Sequence, residues 1–375
     1  MAFSLPDTVE EIRKKAREFA LREFTQEVAD KCDREELYPK ETQKKLYASG
    51  IIDISNPWSI VVTMEEFCRV DPGMGLASLV SSFGSEVLLI FGSDYQKKKY
   101  LEPVLKGEKI SGFAVTEPVA GSDVAGIATR LEQKGDKWIL NGGKMFITNG
   151  GVADHLYVLA RSSPISKEKR HHGLTLVIVE SSMKGFSSTK ITGKMGMRAT
   201  DTAELKFENI EVPKENIIGE VGNGFYYVMA FFNISRIPVA AQATGTAQGA
   251  LDRLTSYLEK CRTENKEIYD YESTKFILAE MSTRIEAARL LTYRAAERLF
   301  NFDPDPTFTS MAKYFAAEAA TYCVNSALEF MGLDGVTTDL ERLYRDAKIT
   351  EIWEGTTEIE KLVISRMLMK KEAGK

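Results

Sequence analysis

Three short stretches of the 375-residue chain hold residue types suited to chemistry: AVTEPVAGSD at 114–123, GGKMFITNG at 142–150 and IWEGTTE at 352–358. In the last, the carboxylate of Glu354 stands between Trp353 and Gly355. Apolar neighbours raise a carboxylate's pKa towards the range useful to a general base, and a glycine leaves room for a ligand at the backbone. In the first, Pro118 fixes φ within a turn and Gly121 lets the main chain come close to a ligand. Taken singly, the same stretches also read as a polar interdomain turn, a strand aromatic in a β core and a surface glutamate between helices.

Three regimes of sequence pattern would have to position these residues. From 1 to 110 the pattern is helical, with Asp7 and Thr8 as N-cap candidates and Ile12, Ala16, Phe19, Ala20 and Phe24 on one face. Gly107 is the expected stop after GSDYQKKKYLEPVLKGEKI. From 111 to 213 short apolar runs separated by glycines predict strands, with Asn141-Gly142 as a hairpin turn, and together a small barrel or sandwich. From 214 to 375 long helical periodicities return, as in Ile277, Leu278, Met281, Ile285 and Ala288, and predict a C-terminal four-helix bundle. The two prolines of NFDPDP at 301–306 place a loop between helices. The fold class is therefore α+β and multidomain.

Composition narrows the function. A net charge of −5 gives no basic footprint for nucleic acid. Cys32, Cys68, Cys261 and Cys323 are far apart, and with only His155, His171 and His172 they predict no metal site. No apolar run reaches the roughly 18 residues of a membrane span, and the N-terminus lacks a signal-peptide core, so a chain starting at Met1 in a reducing cytoplasm is expected. The Gly-x-Gly-x-x-Gly, P-loop, Gly-x-Ser-x-Gly and His-Glu-x-x-His motifs are all missing.

Together with KMGMRATDTAELKFENIEVP and GNGFYYVMAFFNISRIPVAAQATGTAQGALD, the three stretches resemble, in order and spacing, the acyl-CoA dehydrogenase family of flavoproteins. The likeness runs through nearly the whole chain. It implies an FAD whose ring meets Phe113, Val115, Thr116, Gly121 and Ser122 of the first stretch and Phe146, Ile147 and Thr148 of the second. An isoalloxazine is flat and apolar with a polar edge, so backbone amides and an aromatic wall suit it. Phe146 stands where the family usually has Trp, which keeps the apolar face and removes an indole donor. Glu354 is implied as the base that takes the α-proton of an acyl-CoA thioester, Ser122, Arg236 and Gly355 as substrate contacts, and Thr356 and Glu358 as cofactor contacts. Ser235 occupies the position where some members place the base instead, and a serine cannot fill that role.

The resemblance further implies a homotetramer, a dimer of dimers, that passes electrons to an electron-transferring flavoprotein. Alternatives are an oxidase of the same fold using oxygen, or a flavoprotein with little dehydrogenation. The helix after GALD departs from the family pattern. CRTENKEIYDYES puts Cys261 at a position usually held by an arginine that reaches a neighbouring subunit's FAD, with Glu272 for glutamine, and a one-residue shift restores Arg262 beside Thr263. EFMGLDG keeps Gly332 but carries Leu333 and Glu329, and the loop near 51–60 is shortened. These departures bear on the adenine end of FAD and on acyl-pocket shape.

Overall fold

The computed structural model describes residues 5–53, 56, 58–166, 168–264 and 267–373, so part of the shortened 51–60 loop and residues 265 and 266 of the CRTENKEIYDYES stretch lie outside the described residues. Eight helices come first: α1 Asp7–Glu23, α2 Gln26–Arg34, α3 Lys40–Ser49, α4 Trp58–Val70, α5 Pro72–Leu79, α6 Glu86–Phe91, α7 Asp94–Gln96, and α8 Glu102–Leu105 after a π-helical turn. Gly107 follows with φ 71°, the left-handed stop its type suggests. Asp7 is not a cap. Pro6 holds the N-cap position of α1 and Asp7 sits in the first turn, where its charge favours the helix dipole.

Seven strands form one curled sheet: β1 Ser111–Ala114, β2 Arg130–Lys134, β3 Lys137–Thr148, β4 His155–Arg161, β5 Leu174–Glu180, β6 Phe186–Lys190 and β7 Thr202–Val212, in the order β1-β4-β2-β3-β7-β6 with β5 on β4. The hairpin expected at Asn141-Gly142 is not there. β3 runs straight through both residues, the ladder to β7 slips between Leu140 and Gly142, and Gly142 takes φ 140° against Thr129, where a Cβ would come within 2.7 Å of its backbone. The pair makes a bulge, and the tight turn lies earlier, at Gly135-Asp136 between the paired Lys134 and Lys137.

The bundle follows: α9 Gly224–Thr263, α10 Glu272–Phe300, α11 Pro306–Met331, α12 Leu333–Val336, α13 Leu340–Ala347 and α14 Thr357–Ala373. Pro304 and Pro306 fall between helices and at a helix start as expected, whereas Pro238 lies inside α9 and removes the helix hydrogen bond to the Ile234 carbonyl. One apolar core joins both helical regions, with Phe19, Val62 and Phe67 packed among Ala240, Ala247, Met281 and Ala320. Gly245 allows the crossing, since a Cβ there would lie 2.1 Å from the Glu65 carbonyl of α4. A second core sets β1, β4 and β5 against α6 and the start of α9, and a third fills the other face of the sheet.

Candidate active site

The turn after β1 is built on a buried ion pair. Glu117 and Ala120 exchange two backbone hydrogen bonds around Pro118, and the Glu117 carboxylate accepts the backbone N–H groups of Ala128 and Thr129. Lys144 of β3, fully buried, donates to that carboxylate and to the Val115 carbonyl, each at 2.8 Å. The opposite charge and its hydrogen bonds hold the Glu117 carboxyl below its usual range despite burial. One residue on, Met145 N–H donates to the Thr116 carbonyl at 2.9 Å. The first two stretches are thus one unit.

Phe146 is the conspicuous member of that unit. The β3–β7 ladder slips again between Lys144 and Ile147, and Phe146 sits in the left-handed region at φ 59° with 64% of its surface exposed. A bulky side chain in that conformation is costly. Gly121 and Ser122 are exposed, and the space around the Gly121 Cα is open. Ile147, Phe113 and Val115 differ. Their side chains are buried in the sheet cores, Phe113 within 4.1 Å of the Phe231 ring of α9, so they can meet a ligand only through their backbone.

The loop that carries Glu354 is held from two helices. Glu354 has φ 52° and Gly355 φ 106°, two consecutive left-handed residues. Arg236 of α9 donates to the Glu354 carbonyl at 3.0 Å, and the buried Lys313 of α11 donates to the Gly355 carbonyl. The hydroxyl of Ser235 donates to the Glu354 carboxylate. Glu360, fully buried on α14, pairs with Arg236 at 3.0 Å, and its carboxylate occupies the space a Cβ at Gly355 would enter. Gly355 is therefore required by its own neighbours as well as by its φ.

Burial raises the Glu354 carboxyl above its usual range, opposed first by the Ser235 hydrogen bond and then by Arg236 and Lys313. Burial lowers the Lys313 ammonium to about 8, opposed by Glu360 and Glu354. The result is a desolvated carboxylate on a strained but clamped loop, with a raised proton affinity suited to a base. The contact of Phe113 with Phe231, one turn before Ser235 on α9, ties this loop to the turn after β1.

Matches to three family models bear on this arrangement: the acyl-CoA dehydrogenase N-terminal, middle and C-terminal domains match residues 6–108, 112–210 and 222–369. The chain belongs to the acyl-CoA dehydrogenase family. It is 40% identical to a 3-(aryl)acrylate reductase of Clostridium sporogenes over 96% of this chain and 98% of that one. Subunit CarC of the caffeyl-CoA reductase-Etf complex of Acetobacterium woodii is 37% identical over the same shares. The structure of butyryl-CoA dehydrogenase from Megasphaera elsdenii superposes with a TM-score of 0.90 at 33% identity, covering 98% of this chain and 100% of that one. Acyl-CoA dehydrogenases are flavoproteins, and membership makes this protein an oxidoreductase of that type.

The other residues expected to contact the cofactor fall at two places, just after the Glu354 loop and at the end of α9. Thr356 accepts the Ile359 N–H and caps α14, and Glu358 is exposed on its first turn. Arg262 and Thr263 stand at the far end of α9, 26 residues beyond Arg236, roughly 39 Å at the helical rise. Arg262 is exposed and pairs with Glu259, while Cys261 is buried. Residues that sequence reasoning missed are Lys144, Lys313, Glu360 and the anchoring role of Glu117. Lys313 had a signal in SMAKYFAAEAA, as the one Lys or Arg of α11. No described helix is long and apolar enough to cross a membrane, and no His/Cys/Asp/Glu group among the described residues could hold a metal.

Proposed function

We propose that the protein catalyses the FAD-dependent α,β-dehydrogenation of an acyl-CoA thioester to the 2-enoyl-CoA. The observation that carries this reading is the Glu354 carboxylate, desolvated and aimed by a left-handed loop that Arg236 and Lys313 clamp. The chain's exposed surfaces suit FAD: Phe146 offers an uncovered aromatic face on a strained backbone, with Thr116, Ser122 and Thr148 beside it on the same turn-and-strand unit. FAD would supply the acceptor for the β-hydrogen, which leaves as hydride.

The remaining chemistry belongs to the chain. Glu354 removes the α-proton, and its raised pKa makes that transfer less uphill. The Glu354 backbone N–H is the protein's donor to the thioester oxygen, where charge accumulates, and such a donor contributes about 3 kcal/mol. Ser235 and Arg236 keep the carboxylate on the substrate side. The test is anaerobic titration of the purified protein with a panel of saturated acyl-CoAs: loss of flavin absorbance supports the reading. A colourless protein that FAD does not reconstitute overturns it.

A second reading concerns direction. Both relatives above are named as reductases of unsaturated aryl substrates, which favours the reverse reaction, with Glu354 delivering the α-proton. The relation to a subunit of an Etf complex supports an electron-transferring flavoprotein as redox partner. The surface position of Arg262, far along α9 from Arg236, supports an assembly in which it serves a neighbour's FAD, as in a homotetramer.

A further inference from the structure

Glu360 is fully buried in the first turn of α14. Neither oxygen of its carboxylate accepts a hydrogen bond among the described residues, and its ion pair there is with the Nε of Arg236 at 3.0 Å. The same Nε donates to the Glu354 carbonyl, also at 3.0 Å, so one N–H group of α9 lies between the loop that carries the base and α14. The Glu360 carboxylate and the Arg236 guanidinium both border the Gly355 Cα, where a Cβ would run into them. Arg236 of α9, Lys313 of α11 and Glu354 of the loop are the charged groups that face Glu360. With all four ionised the cluster is neutral. The Glu354 carboxylate itself accepts from the Ser235 hydroxyl and, among the described residues, forms no ion pair.

A guanidinium beside a carboxylate lowers its proton affinity by about ten- to a thousandfold, and a buried cation without a counter-ion is costly. Arg236 paired with the Glu354 carboxylate would make a poor base of it. Glu360 takes that place. We infer that Glu360 is a positioning residue for the base: it occupies the Arg236 guanidinium, so that Arg236 steadies the Glu354 backbone while the Glu354 carboxylate is left to take a proton. The electrostatics agree with the geometry. Burial raises the Glu354 carboxyl, Ser235, Arg236 and Lys313 oppose it, and Glu360 adds to the rise. The inference rests on the reading of Glu354 as the base.

The test follows Glu354 ionisation directly, by infrared titration of the carboxyl band that Glu354→Gln removes, beside the pH profile of turnover with a saturated acyl-CoA. Glu360→Gln keeps shape and removes the charge. Activity needs the ionised base and is lost as pH falls through its folded pKa. An uncompensated Arg236 favours that ionised form, so the Glu354 titration and the acid limb are both expected to move to lower pH by about one unit. A merely structural role would lower stability or rate and leave both where they were. Adding Arg236→Gln removes the stray cation and should return the limb to the wild-type position or above it. A limb in Glu360→Gln that coincides with the wild type's, or one that stays low in the double variant, overturns the inference. If Glu360→Gln does not fold, the double variant decides. Near-normal turnover in Glu354→Gln defeats the reading of Glu354 as the base, whereas loss of turnover there with an unmoved titration in Glu360→Gln defeats only the role of Glu360.

Discussion

The Arg236 guanidinium donates to the Glu354 carbonyl at 3.0 Å, although 118 residues separate them. With Lys313 on the next carbonyl, it fixes the left-handed loop whose Glu354 carboxylate meets the Ser235 hydroxyl of α9. The two cations do not pair with that carboxylate, which stays protonatable.

Replacing Glu354 by Gln keeps shape and removes proton affinity. Turnover is expected to fall by about 10² to 10⁴, the usual contribution of a positioned base, with FAD content and thioester binding retained. Steady-state rates beside the flavin spectrum of the variant check this, and near-normal turnover would move the base elsewhere.

Lys313→Met removes a charge that lowers the Glu354 pKa. The base must be ionised, so activity is present above its folded pKa and is lost as pH falls through it. Without Lys313 that pKa rises further, and the acid limb of the kcat profile is expected to move to higher pH. Misplacement of the loop should also cost about tenfold or more in kcat. A pH–rate profile that coincides with the wild type's would deny Lys313 its positioning role.

Phe146→Gly should separate cofactor binding from folding. The ring is largely exposed and its backbone strained, so the apoprotein is expected to keep its stability or gain on the order of 1 kcal/mol. FAD should dissociate more readily because a stacking face is gone. Thermal unfolding of the apoprotein, together with FAD titration, measures both; a large loss of apoprotein stability would mean that Phe146 is structural.

The end of α9 poses a sharper choice than its sequence did. Cys261 is 1% exposed, so Cys261→Arg is expected to destabilise the fold by overpacking and to leave FAD affinity unimproved. Arg262, beside it, is exposed and carries a guanidinium. Arg262→Ala should release FAD and loosen the oligomer if it serves a neighbour's cofactor. Sedimentation and FAD dissociation decide it, and no change in either removes this helix from the cofactor.

Breaking the pair under the turn after β1 should be costly in a different way. Lys144→Met leaves the Glu117 carboxylate buried without its cation, a loss of about 3 to 5 kcal/mol. Chemical denaturation measures it, and a loss below about 1 kcal/mol would show that the backbone amides of Ala128 and Thr129 suffice.

What the sequence determined by itself was the run of elements and the identity of the family. Helical periodicity is a local property, so Ile277 to Ala288 and the stop at Gly107 could be read directly, and the ordered motifs led to Glu354, Arg236 and Phe146. Local preference misled at Asn141-Gly142, because a turn-forming pair is equally suited to a bulge and only the pairing of β3 with β7 selects between them. Tertiary structure alone decided the partners. Lys144 meets Glu117 across 27 residues, Lys313 meets Gly355 across 42, and Arg236 meets Glu354 across 118. These partnerships depend on burial, and burial depends on how distant helices and strands pack, which no short window of sequence contains.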